Sequence, residues 1–306
     1  MKLFQIMSLV MIILFSLVSV AFITLMERKI LGYMQIRMGP NKVGLTGILQ
    51  PMADAVKLYS KEINWPTQSN SMPFFISPCL SLTLALTLCL IMPYLKPWIN
   101  MKLSLLMFLA ILGLGVYPIL ISGWSSNSNY SLIGSMRALA QTISYEVSLV
   151  FILLSSLFIS SSLSFYSLVE TQKLFYFFLF IVPFYMWLFS TVAELNRTPF
   201  DFAEGESELV SGFNTEFSSS PFAIIFMAEY LMILIFSLLT SMMYFCSNTN
   251  LLSMVKTMTM MFFFIWIRAT LPRYRYDKLM NLSWKFILPI STFNLFISII
   301  LTIYSK

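Results

Sequence analysis

Acidic side chains in places where water is scarce are the first feature of this chain with chemical meaning. Glu146 and Glu229 fall inside long apolar runs. An ionised carboxylate at the centre of a membrane helix costs about 2.5–3.5 kcal/mol even on the lenient insertion scale, so such residues face a polar path or a partner and serve ion or proton transfer. Arg137 precedes Glu146 by nine residues in the same run, which puts it on nearly the opposite helix face and makes it no local partner. A denser group runs from Glu194 through Arg197, Asp201, Glu204, Glu206 and Glu208 to Gly212. Thr198-Pro199-Phe200-Asp201 predicts a helix start, with Thr as cap and Pro at the first helical position. On that helix Asp201, Glu204 and Glu208 stack on one face with Glu206 nearby, and carboxylates so close compete for charge and can exchange protons. The plainer readings are a capping role for Asp201 and a solvated acidic loop for the rest. A calcium loop fits poorly because the required Asp/Asn spacing is missing.

Two further segments carry charge in a pattern. Glu27-Arg28-Lys29 closes the first apolar run, and Arg37 to Gly44 is rich in turn residues. Residues 48–63 then read as an amphipathic helix: Gln50, Asp54, Lys57 and Lys61 share one face, and Leu49, Met52, Val56, Tyr59 and Ile63 share the other. Such a helix lies along a membrane surface, as a simple anchor or as one wall of an opening. Near the C-terminus, Arg268-Ala-Thr-Leu-Pro-Arg273-Tyr-Arg275-Tyr-Asp277-Lys278 reads as a basic anchor or as a partner for a carboxylate loop.

Other chemistries are excluded by what is missing. The chain has no histidine, which removes the usual haem ligand, the commonest zinc ligand and the near-neutral proton switch. Cys79, Cys89 and Cys246 are scattered through apolar segments and cannot supply the four thiolates of an iron–sulfur cluster. Neither a Gly-rich dinucleotide turn nor a Walker loop is present. No metal site and no electron-transfer cofactor is expected on this chain, so redox work belongs to partners.

The elements that must position these groups are transmembrane helices. Of 306 residues, 58% are hydrophobic and 10% charged, far below the roughly 25% charge with which soluble domains dress their surface. At about 20 residues per span there is room for roughly seven to nine helices, and the apolar runs are too long and unalternating for a barrel. Hydropathy windows predict an all-α polytopic membrane protein with eight spans, near 3–25, 74–95, 103–122, 138–162, 174–194, 221–245, 251–268 and 284–304, plus the interfacial amphipathic helix in the 1–2 loop. The stretch from Ser122 to Tyr130 reads as a Ser-rich loop. No internal repeat or soluble domain is visible, so residues 1–306 read as a single transmembrane domain. Lys2 leads straight into the first run, without a signal-peptide pattern.

Thirteen of the nineteen Lys and Arg lie in loops 1–2, 3–4, 5–6 and 7–8. The positive-inside rule puts those loops on the inner side and both termini outside. This accounts for the net charge of +6 without nucleic acid. Most acids share the inner side, and Glu170 alone is on the outer one. Topology does not require that asymmetry, so it points to function.

Taken together, Glu27–Tyr33, Gly39-Pro-Asn41, Ala140–Val147, Asn196–Asp201, Ala203–Asn214 and Arg273–Leu279 resemble the mitochondrially encoded quinone-site membrane subunit family of NADH–ubiquinone oxidoreductase, respiratory complex I. The resemblance covers nearly the whole chain, and the acidic run is its most specific part. It implies a multi-pass protein of the mitochondrial inner membrane, with termini in the intermembrane space and charged loops facing the matrix. It implies ubiquinone as substrate, entering by a tunnel from the bilayer, and iron–sulfur clusters and FMN held by partner subunits. The implied partners are the peripheral-arm quinone-module subunits and small adjacent membrane subunits.

Carried over residue by residue, the resemblance makes Arg28, Gln35, Arg37 and Asp54 line the tunnel. Glu194, Arg197, Asp201, Glu204, Glu206 and Glu208 form an acidic loop below the quinone site, Glu146 and Glu229 continue the proton path, and Arg273, Arg275 and Asp277 pin the loop. Met38, Leu195 and Phe217 depart from the family pattern, which touches tunnel polarity but not the acidic run. Two alternatives belong to other classes: the homologous membrane subunit of an ion-pumping hydrogenase, and a stand-alone cation-coupled transporter. The latter would often show an inverted repeat. A purely structural anchor leaves the buried acids unexplained.

Overall fold

The structure, a computed structural model, describes residues 2–93, 101–160, 162–171, 181–203, 205, 212–245 and 251–304. Helix α1 (Lys2–Met34) runs past the apolar window through Glu27-Arg28-Lys29 and ends where Ile36 adopts a left-handed φ of 57°. Hydropathy marks only the lipid-buried part of a helix, while hydrogen bonding continues as long as the backbone stays helical. The short α2 (Gln50–Ser60) is followed by α3 (Ser71–Ile91), α4 (Ser104–Leu114) and α5 (Val116–Ser125). Pro118 explains the break between α4 and α5, because its ring collides with the carbonyl four residues earlier and offers it no N–H.

The remaining helices are α6 (Asn129–Ser160), α7 (Phe165–Thr171), α8 (Ile181–Glu194), α9 (Ser219–Tyr244), α10 (Leu251–Thr270), α11 (Tyr276–Leu282) and α12 (Leu288–Tyr304). A π-helical turn, Ser283–Ile287, joins α11 to α12 just before Pro289. Among the described residues, seven helical stretches are long and apolar enough to cross a membrane. The fifth expected span is represented by the shorter α8, since its first residues, 174–180, lie outside the described residues. The chain is an all-α multi-pass membrane protein.

Helices α6 and α9 form the centre. Their apolar windows are 61% and 56% buried, against 17% for both α1 and the α11–α12 stretch. Glu146 sits on the first and Glu229 on the second, and both are half-buried. The core around them includes Phe108, Tyr145, Leu149, Leu153, Trp187 and Phe236, all essentially inaccessible. Lipid tails are as apolar as these side chains, so packing contacts rather than water exclusion hold the helices together. Small residues allow the closest approaches: a Cβ on Gly134 of α6 would lie 2.9 Å from the Cα of Gly212. Serine and threonine hydroxyls along the helices donate to carbonyls three or four residues back, which satisfies them without a cross-helix partner.

Two local expectations are corrected. The Ser122–Tyr130 stretch is helical except at 126–128, because Ser122 and Ser126 donate to Ile119 O and Gly123 O of their own helix. No helix starts at Thr198-Pro199. The Thr198–Pro199 peptide is cis, and the chain turns there with Phe200 N–H bonded to Arg197 O at 2.8 Å. The carbonyls a helix would use are taken by distant donors, Pro199 O by Tyr274 N–H and Phe200 O by the Gln141 amide.

Candidate functional site

Helix α8 delivers Glu194 at its last turn and ends at Asn196, whose φ of 49° is the left-handed conformation asparagine tolerates best after glycine. The reversal places Arg197 between two acids from other helices. Its Nη1 is 3.6 Å from Oε1 of Glu27 on α1, and its Nη2 is 3.8 Å from Oε2 of Glu229 on α9. Its guanidinium carbon stands 4.6 Å above the Tyr230 ring, a cation–π contact. Glu27 is buried, and the same Oε1 also accepts Arg268 from the end of α10. Among the described residues, two arginines thus face two carboxylates. Desolvation makes such a buried set a poor source of net stability, yet removing one member typically destabilises by about 3–5 kcal/mol.

Beside this cluster lies a half-open, largely apolar cavity of about 130 Å³, room for several water molecules. Glu194, Asn196, Arg197 and Glu229 line one part of it, and Ser77, Ser81, Ser122 and Thr142 add hydroxyls from α3, α5 and α6. Each of those hydroxyls donates to its own helix and so presents lone pairs to the cavity. Glu146 lies close enough to Glu194 for the two carboxyls to interact electrostatically. One buried oxygen of each has no hydrogen-bond partner among the described residues. Orphaned buried oxygens of this kind need a water, a proton or a rearranging partner. Three ionisable groups, from α8, the turn after it and α9, therefore meet around one cavity, with Glu146 of α6 near Glu194.

The segment after Arg197 is tied down at both ends. Gln141, fully buried on α6, donates through Nε2 to Ala193 O and to Phe200 O, each at 2.8 Å. Asp201 accepts from Arg273 at 3.1 Å, and the rings of Phe200 and Phe202 pack on Tyr274 and Tyr276. At the far end Gly212 abuts Gly134, and Phe217 stacks on Phe74 with ring centres 4.2 Å apart. Glu204, Glu206 and Glu208, expected in this loop, lie outside the described residues. Of the three residues expected to pin it, Arg273 reaches Asp201, while Arg275 and Asp277 bond each other at 3.1 Å on the exposed surface.

At the edge of the bundle α2 keeps Met52, Val56 and Tyr59 exposed, as an interfacial helix would. Its other face supplies Asp54, which accepts Arg28 of α1 at 2.5 Å and Gln50 at 3.1 Å. Gln35 and Arg37 are exposed on the loop leading to it. That loop folds back on α1: Lys29 Nζ donates to Thr46 O, and a Cβ on Gly39 would meet Lys29 at 2.9 Å. No group of acids, cysteines or histidines that could hold a metal occurs among the described residues.

A family model for NADH dehydrogenase matches residues 7–299. The chain belongs to the NADH dehydrogenase family. It is 53% identical over 282 residues to NADH-ubiquinone oxidoreductase chain 1 of Aedes aegypti, covering 92% of this chain and 90% of that one. The protein of the same name from Anopheles gambiae is 52% identical over 290 residues, covering 94% and 92%. That of Bradypus variegatus is 51% identical over 284 residues, covering 90% and 89%.

In this member of the NADH dehydrogenase family, several residues of the site escape sequence reasoning. Glu27 looks like part of a topogenic charge cluster and Arg268 like a membrane-edge anchor, yet they meet across the bundle. Tyr230 could have been noticed as the aromatic neighbour of an intramembrane acid. Gln141 had one signal, a primary amide inside an apolar run.

Proposed function

We propose that this chain is the membrane subunit of a proton-pumping NADH:ubiquinone oxidoreductase of the mitochondrial inner membrane, one that shapes the path of ubiquinone and relays the consequence of its reduction. The family and the shared name of its relatives support the assembly and the substrate class. The observation that carries the finer reading is the cavity onto which Glu194, Arg197 and Glu229 converge, with Glu146 within electrostatic reach of Glu194. Intramembrane acids grouped around a water-sized space are what a proton relay requires.

In this reading electrons come from FMN and iron–sulfur clusters held by peripheral-arm partners. Arg28, Gln35, Arg37 and Asp54 line the mouth by which the quinone enters from the bilayer. Reduced quinone draws protons, the acidic loop bearing Asp201, Glu204, Glu206 and Glu208 responds, and the charge change passes to Glu194, Glu146 and Glu229 toward adjacent small membrane subunits. Arg273, with Arg275 and Asp277 behind it, steadies the loop. The whole chain acts as a single transmembrane domain with both termini in the intermembrane space and the charged loops in the matrix.

The test is Glu146→Gln and Glu229→Gln in the assembled enzyme. Each should lower proton-coupled quinone reduction by about a hundredfold, the low end of what a positioned proton-transfer group supplies. NADH oxidation by an artificial acceptor, which needs only the partners, should persist. Wild-type coupled turnover in both variants would refute the relay.

A further inference from the structure

We propose that Glu27, seated by Arg268, is a positioning residue that holds Arg197 shared between itself and Glu229, so that Glu229 is never permanently captured by its cation. This rests on the reading of Glu229 and Arg197 as parts of the coupling path.

The geometry begins with two cations on one acid. Oε1 of Glu27 accepts Arg268 directly and has Arg197 at 3.6 Å. Glu27 is only 4% exposed, and its second carboxyl oxygen has no hydrogen-bond partner among the described residues. A carboxylate so buried is costly unless it is paired, and the directly bonded guanidinium of Arg268 supplies that pair. Arg268 therefore seats the carboxylate that acts on Arg197. The backbone reinforces the seat from the same side, since Thr198 Oγ1 donates to Arg268 O and Tyr274 N–H to Pro199 O. Those bonds fix the turn carrying Arg197 to the end of α10.

The surroundings sharpen the effect. The small void touching Glu27, Arg197 and Arg268 is walled by Val192, Ile233 and Phe264, and its volume of about 10 Å³ is at or below what one water needs. Glu27 and Arg197 are themselves largely buried, and charges so placed attract one another more strongly than at an open surface. Glu229 faces the larger cavity instead, and its distance to Arg197, 3.8 Å, is looser than a direct bond. Arg197 is thus drawn toward buried Glu27 on one side and toward Glu229, beside the larger cavity, on the other. Remove the charge of Glu27 and the pull on Arg197 from that side is lost, so the cation closes on Glu229. A carboxylate held in a tight pair gives up its proton-accepting role, and relay through it slows.

This predicts a specific kinetic signature for Glu27→Gln in the assembled enzyme, with rates normalised to NADH oxidation by an artificial acceptor. The kcat for quinone reduction should fall about tenfold, in the middle of the range that coupled neighbours give, while KM for quinone stays within about twofold. Adding Glu27→Gln to Arg197→Gln should change kcat by less than about twofold, because nothing remains to be positioned. The conservative Glu27→Asp keeps the charge, and should recover most of the lost rate and assemble even where the glutamine variant does not. Its smaller loss should likewise vanish in the Arg197→Gln background.

Multiplicative effects of the Glu27 and Arg197 substitutions would overturn the proposal while leaving the coupling path standing. So would a raised KM at unchanged kcat, or an aspartate variant no better than glutamine. Wild-type turnover in both Arg197→Gln and Glu229→Gln would instead overturn the coupling reading itself, and this proposal with it.

Discussion

Replacing Gln141 by leucine removes two hydrogen bonds that join α6 to the end of α8 and to the turn beyond it. Both run from one amide nitrogen, at 2.8 Å, and the side chain is fully buried. The two carbonyls would not be orphaned, since Ala193 O also accepts Asn196 N–H and Phe200 O also accepts Phe202 N–H. The loss is therefore two ordinary hydrogen bonds, about 0.5–1.5 kcal/mol each and about 1–3 kcal/mol together, rather than the larger penalty of bare carbonyls. Leucine sacrifices no acceptor bond, because Oε1 of Gln141 has no partner among the described residues. Glutamate has almost the same shape but presents a carboxylate to two carbonyls, so Gln141→Glu should be the more damaging change.

Amide hydrogen exchange over residues 195–203 in the assembled enzyme reads the effect directly. Local opening that becomes easier by about 1–3 kcal/mol speeds exchange by between about fivefold and about 150-fold. Exchange within α1 and α3, neither of which packs extensively on α6, should not change. Unaltered exchange in Gln141→Leu, or a glutamate variant milder than leucine, would refute the assignment of Gln141 as the clamp of this segment.

Two other perturbations follow from the same structure. Gly134→Ala would drive a methyl group to within 2.9 Å of the Gly212 Cα and 3.1 Å of Phe213 N, both backbone atoms that cannot rotate aside. Overpacking of this kind destabilises by about 1–3 kcal/mol and should shorten the half-life of quinone reductase activity on heating, whereas Gly113→Ala, with open space around it, should not. The Arg28–Asp54 pair, although 2.5 Å long, is half exposed on the arginine side and should contribute no more than about 1 kcal/mol. Asp54→Asn should therefore leave heat stability nearly unchanged, and a raised KM for quinone in that variant would support its place at the tunnel mouth.

Much of the architecture is legible from local chemistry. Whether a stretch of about 20 residues prefers lipid depends on those residues alone, so the spans, the outward apolar face of the interfacial helix and the placing of Glu146 and Glu229 on membrane helices can be read one segment at a time. Boundaries are less legible for a physical reason visible in α1. Its helix continues through Glu27-Arg28-Lys29 because backbone hydrogen bonding does not stop where hydropathy does. The turn at Thr198-Pro199 fails as a helix start because donors far away in the chain, Gln141 and Tyr274, claim its carbonyls, and no local pattern records them.

What the sequence by itself determined is a polytopic helical protein carrying acids in its membrane core, together with the family to which its motifs point. What only the tertiary structure decided is which charges meet. Glu27, Arg197, Glu229 and Arg268 come from four separate elements, and each alone has an ordinary explanation as topogenic charge, turn residue, intramembrane acid or anchor. Their interaction depends on which helices pack side by side and on how each is rotated about its axis. Those choices are settled by the summed packing of α1, α8, α9 and α10, and a charge pair has no signature in the chain until that packing brings its members within a few ångströms.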